Sequence, residues 1–210
     1  MMDTDKILTG LSRFVSAVFS PILMPTYGTL LVLWTSVLCS MSNGYRVSLV
    51  MVVMGITCVL PITAIGALHH FGFINDQHLA KSSERHLPYI FAIVCYIAVC
   101  FYLTYNHEPM WFTMFGVGGL AALIITTIVN FKWKISAHMC GMGGLVALVY
   151  QIHVQGLSAF EFFWLMCAMF LLAGIVGTAR LILKSHTVLQ VLLGFVNGYA
   201  CVTIAMKILE

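Results

Sequence analysis

Charge is the scarcest thing in this sequence: of 210 residues only 8% are Asp, Glu, Lys or Arg, while 61% are hydrophobic. Soluble domains carry about 25% charged residues and about 45–50% apolar ones. Ten basic and seven acidic side chains are too few to cover a water-soluble globule of this length. A formal net charge of +3 gives no basic stripe, which excludes nucleic acid as a partner. There is no CxxC pair and no HExxH, so the usual signatures of a redox or zinc site are missing. Linkers and low-complexity tracts are absent too. The seven cysteines all fall within or at the ends of apolar stretches, where free thiols act as small hydrophobes.

What the chain does have is long apolar runs. A spanning helix needs about 20 mainly apolar residues. Seven such stretches occur, at 14–38, 47–68, 87–105, 110–129, 137–154, 160–178 and 187–206. They predict an all-α polytopic bundle of six to seven transmembrane helices, a single integral membrane domain over 1–210 with the lipid bilayer as partner. No room is left for a separate soluble domain. Pro21 and Pro25 predict a kink or break in the first stretch. That stretch is too long and too interrupted for a cleaved signal peptide, and it reads as part of the mature fold. Trp111 and Trp133 fall at a span end and in a connection, where indoles favour the membrane interface.

Alternation of the connections sorts the charges. One side holds the N-terminus and the connections near 69–86, 130–136 and 179–186, with Lys6, Arg13, Lys81, Arg85, Lys132, Lys134, Arg180 and Lys184. That is eight of the ten basic residues, and Asp3, Asp5, Asp76 and Glu84 reduce the side to +4. The other side has Arg46 and Lys207 against Glu108, Glu161 and Glu210, a balance of −1. The positive-inside rule would place the basic side in the cytoplasm. An anion site at one membrane surface would produce the same count, because Lys and Arg suit phosphate oxygens.

Three clusters on that side carry chemistry. In the connection 69–86, Lys81 and Arg85 lie four apart, on one face if the segment is helical, and Pro88 suits the first turn of the next span. In 130–138, Ser136 suits a helix cap, Lys134 stands just before it, and His138 falls in the first turn beside free backbone N–H groups. The glycines that follow, with Ala137, allow close helix packing. In 178–190, His186 and Gln190 are four apart, so on one helical face Gln190 would hold one imidazole nitrogen and leave the other free. Arg180 lies six before His186, about 240° round a helix. It reaches the same place only if a turn intervenes. Two spans separate each cluster from the next, so all three emerge on one side.

These residues resemble the phosphatidic-acid phosphatase type 2 superfamily, whose motifs run Lys-x6-Arg-Pro, Pro-Ser-Gly-His and Ser-Arg-x5-His-x3-Asp. The counterparts are Lys81-x3-Arg85-x2-Pro88, Ile135-Ser136-Ala137-His138 and Ala179-Arg180-x5-His186-x3-Gln190. The resemblance covers residues 81–190 and implies a phosphatase-like core over about 69–206. It implies hydrolysis of a lipid phosphate or pyrophosphate through a phosphohistidine, with no metal and no cofactor. His186 would be the nucleophile, and His138 the acid and then the base. Lys81, Arg85, Arg180, Lys134 and Ser136 would hold the phosphoryl oxygens. Gln190 replaces the aspartate that orients the nucleophile, and the Lys-to-Arg spacing of the first motif is shorter. Bacterial relatives work on the outer face of the inner membrane, opposite to the side the charge rule gives.

Two other readings fit the sequence. The replacement at Gln190 suits a protein that binds or transports a phosphorylated lipid without turning it over. His69, His70, His78 and His86 suggest a membrane metalloenzyme, although their spacing matches no strong metal pattern. The oligomeric state is not legible.

Overall fold

The computed structural model describes residues 2–70, 72 and 86–208, and these form an all-α polytopic membrane bundle. The helices are α1 (Met2–Val18), α2 (Met24–Thr35), α3 (Asn43–Met54), α4 (Leu60–His70), α5 (His86–Tyr105), α6 (Met110–Asn130), α7 (Ala137–Val154), α8 (Phe162–Ile182) and α9 (Val188–Lys207). Six helical stretches are long and apolar enough to cross a bilayer, and Tyr89–Tyr105 is a shorter apolar one. Large apolar side chains face outward, such as Phe101 at 71% and Trp164 at 73% exposure. Water would penalise such a surface; lipid does not.

The expected break in the first stretch lies at Ser20–Pro21. Ser20 is extended (φ −61°, ψ 140°), Pro21 opens a 3-10 turn, and α2 begins with Pro25 in its first turn. Each proline thus stands where its missing N–H leaves no helical bond unmade. The Tyr27 hydroxyl donates to the Val18 carbonyl at 2.7 Å and pins the break. The helix on the N-terminal side reaches back to Met2, well before the stretch read from hydropathy.

The second stretch holds a feature that hydropathy does not carry. Between α3 and α4 the helix widens into a π turn over Gly55–Val59, just before Pro61. A proline ring collides with the carbonyl four residues back, here Thr57, and the wider turn takes up that clash.

At the centre stands α7, buried along most of its length against α2, α6, α8 and α9. Its seam with α9 is backbone on backbone. A Cβ added at Gly198 would strike the Cys140 carbonyl, one at Gly143 the Phe195 carbonyl, and one at Gly194 the Ser136 carbonyl. This is small-residue packing of the kind used where lipid removes the hydrophobic drive to associate. A second tie crosses the middle of the bundle: Asn197 on α9 donates to the Ala122 carbonyl at 3.0 Å and to Thr126 Oγ1 at 3.1 Å, both on α6.

Candidate functional site

Two chain reversals build the site. In the first, Asn130 at the end of α6 accepts the Ile135 N–H at 3.0 Å and folds 131–136 into a tight loop. Ser136 then caps α7, its hydroxyl accepting the Met139 N–H at 3.4 Å. The Ser136 N–H donates to the Gln190 carbonyl at 3.2 Å, which sets the starts of α7 and α9 side by side. His138 follows in the first turn of α7, and its Nε2 lies 3.0 Å from the Ser16 carbonyl of α1. A carbonyl only accepts, so Nε2 carries the hydrogen and Nδ1 is left to exchange a proton.

In the second reversal, α8 ends at Ile182 with Arg180 in its last turn. Lys184 takes a left-handed conformation (φ 50°), the Ser185 N–H returns to the Arg180 carbonyl at 3.2 Å, and Thr187 starts α9. This supplies the turn that the Arg180–His186 spacing requires. Arg180 and His186 come to one wall with Lys134, Ser185 and His138. His138 is within electrostatic reach of both Arg180 and His186. The Arg180 Nε–H is buried, and no described residue accepts a hydrogen bond from it.

Two predicted residues differ from their expected places. His186 precedes α9 instead of lying on it, so His186 and Gln190 do not share a helical face. Gln190 is the third residue of that helix and closes a capping box: its side-chain oxygen accepts the Thr187 N–H at 3.0 Å, while its own N–H donates to the Thr187 hydroxyl at 3.4 Å. Ser136 is fully buried under α9, and the cavity wall runs through Lys134, Ile135, Ala137 and His138 without it. Lys81 and Arg85 lie outside the described residues, as do His78, Asp76 and Glu84.

Behind the wall a cavity of about 460 Å³ runs into the bundle between α2, α3, α5, α6 and α7. Among the described residues no three His, Cys, Asp or Glu side chains converge as a metal-binding group. Three contributors escaped the sequence reading. Ser185 borders the cavity beside His186. Asn197 braces the wall, and a polar side chain inside a span was its signal. The Ser16 carbonyl is a backbone group, for which a sequence gives no signal.

No protein-family model, curated protein or solved structure matches this chain.

Proposed function

We propose that the protein is a membrane lipid-phosphate phosphatase working through a phosphohistidine at the head of this cavity. The observation that carries the reading is the Arg180 guanidinium, buried at Nε without an acceptor beside His138 and His186. A buried cationic donor lacking a partner is costly, and a phosphoryl oxygen is the acceptor whose geometry suits guanidinium best. The starts of α7 and α9 add backbone dipoles of the same sign.

In the reaction, neutral His186 attacks phosphorus in line as the bond to the lipid oxygen breaks. His138, which enters the cycle protonated on both nitrogens, donates its Nδ1 proton to that oxygen, and the lipid alcohol departs. Water then attacks the phosphohistidine, gives a proton to His138, and inorganic phosphate leaves as the P–N bond breaks. Arg180 and Lys134 hold the non-bridging oxygens, joined by Lys81 and Arg85 in the motif resemblance. The Ser16 carbonyl holds the His138 ring as an orienting carboxylate would, without adding a charge.

A second reading, a lipid-phosphate binder without turnover, is favoured by Gln190, whose side-chain oxygen caps α9 and supplies no negative charge to a developing imidazolium. One experiment separates the two. Purified protein with chelator present is given a panel of lipid phosphates and pyrophosphates, beside His186→Ala. Phosphate release that disappears with His186 supports the phosphatase. Binding of these lipids by folded protein, with no release, supports the binder.

A further inference from the structure

We propose that the proline break after α1 is part of the acid–base apparatus: Pro21 releases the Ser16 carbonyl from its own helix, and that carbonyl positions His138. The role given to His138 rests on the phosphatase reading above. What is added is the device that holds its ring, with Pro21 and Tyr27 as positioning residues that act through it.

The last carbonyls of a helix lack partners within it and must find them elsewhere. At the end of α1 each can be followed. The Val15 carbonyl takes the Phe19 N–H at 2.9 Å, the usual bond to the fourth residue on. By the same rule the Ala17 carbonyl would take the N–H of residue 21, but that residue is Pro21 and has none. The Ser20 N–H fills the gap, bonding to Ala17 at 3.3 Å in a tighter turn. Ser20 is the residue whose N–H would otherwise go to Ser16. The Ser16 carbonyl is thus released from its helix, and His138 Nε2 takes it at 3.0 Å. The Val18 carbonyl takes the Tyr27 hydroxyl at 2.7 Å.

The two side-chain donors come from different helices, His138 from the first turn of α7 and Tyr27 from α2. The Tyr27 ring also meets Phe19, with centroids 6.0 Å apart. The end of α1 is therefore held from two sides. Along its length α1 packs on α8, the helix that delivers Arg180. Ser12 and Ser16, four apart on one face, are buried, while Ile7, Leu11 and Phe14 face outward. Small side chains on the inner face let the backbone come close, which a carbonyl must do to reach a neighbouring ring.

The consequence falls on the other nitrogen. A ring tied at Nε2 cannot flip without breaking that bond, so Nδ1 keeps one place at the wall shared with Arg180 and His186. Acid–base catalysis is worth about 10²–10⁴-fold only where the group stays within hydrogen-bond reach of the moving proton. A backbone carbonyl suits this task. Nε2 carries its hydrogen both before and after Nδ1 gives up a proton, and the carbonyl accepts it in both states.

The first readout is independent of turnover. Nitrogen NMR of the purified full chain, labelled in its histidine rings, should show a hydrogen-bonded Nε2–H that exchanges slowly with water, assigned to His138 by its loss in His138→Ala. Pro21→Ala supplies the missing N–H to Ala17 and returns the Ser20 N–H to Ser16. It should weaken that signal's hydrogen-bond shift and speed its exchange. Tyr27→Phe keeps the ring against Phe19 and loses only the hydroxyl. It should move the signal the same way by less, and it keeps the test decisive if the first variant does not fold. Release of phosphate from a lipid phosphate is the second readout. In Pro21→Ala kcat should fall about tenfold or more while KM holds. In His138→Ala neither substitution should lower the remaining release further, because both act through that ring. An Nε2–H signal unchanged by both substitutions would overturn the proposal. Failure of the phosphatase reading looks different: the signal moves as described, while no lipid releases phosphate.

Discussion

Each end of the bundle holds an arginine, and the two are held in opposite ways. At the end away from the cavity mouth, Arg46 stacks over Trp34 at 4.8 Å, donates from Nη1 to the Leu33 carbonyl at 3.4 Å, and donates from Nη2 to Asn43. Its neighbours are closed on one another as well: the Tyr45 hydroxyl donates to Glu108, and His153 stacks on Phe162 with ring centroids 3.9 Å apart. At the other end no described residue accepts from Arg180, and His138 is anchored only through one nitrogen to a carbonyl. Both arginines have a buried, unmatched Nε, so what separates them is the rest of the guanidinium and its company. Polar groups that satisfy one another stabilise a fold. Those left facing a cavity are poised for a ligand.

The sharpest break in this comparison would come from the histidines. His186→Ala should reduce phosphate release more than about 10³-fold, since removing a nucleophile removes the reaction route. His153→Ala, at the closed end, should leave release within about twofold, because its ring packs on Phe162 far from the cavity mouth. Both are read by phosphate release under chelation. Equal losses would mean that the two ends do not differ in the way proposed.

The arginines come next, and their effects should cross. Arg180→Gln should cost about 10²–10³ in release, the scale for losing one oxyanion donor. Its thermal stability should hold or improve, because a buried cation without an acceptor has gone. Arg46→Gln should keep activity and lose about 1 kcal/mol of stability with the cation–π and hydrogen-bond contacts. Release and unfolding midpoints measured on both variants give the four numbers. Stability lost at Arg180 and activity lost at Arg46 would invert the assignment.

A third contrast lies in the packing. Gly198→Ala forces the α7–α9 seam apart at the Cys140 carbonyl and should cost about 1–3 kcal/mol. Gly174→Ala, with open space where its Cβ would go, should be neutral or slightly stabilising. Unfolding midpoints decide, and a neutral Gly198→Ala would mean that the seam has slack.

How much of this was legible in the sequence follows from which interactions are local. Span number and order were legible, because about 20 apolar residues in a row have few other uses. The break at Pro21 and the turn between Arg180 and His186 were legible from local rules. The capping box was also present, as Thr187-x-x-Gln190, but a motif comparison pointed past it to a catalytic role. Gly194-x3-Gly198 carried the seam in the same overlooked way. The cavity was not legible at all. Asn130, Cys95, Gly144 and Thr57 share its wall only because the helices that carry them adopt particular rotations about their axes, and tertiary packing sets those rotations.

Gln190 gives the smallest expected effect and the finest discrimination. A capping residue and an orienting residue predict different responses to the same three substitutions. If Gln190 serves the start of α9, Gln190→Glu keeps the box, since Glu and Gln serve equally at the third helical position. Gln190→Ala then loses about 0.5–1 kcal/mol of stability and shifts release only a few-fold. Gln190→Asp, one carbon shorter, should resemble Ala. If instead Gln190 orients His186, Gln190→Ala should cut release by 10²-fold or more with little change in stability, by analogy with a lost triad carboxylate, and Gln190→Asp should restore or exceed the starting rate. Stability and release measured together on the three variants separate the roles. The observed bond between the Gln190 side-chain oxygen and the Thr187 N–H predicts the first pattern, with Glu as the rescuing residue.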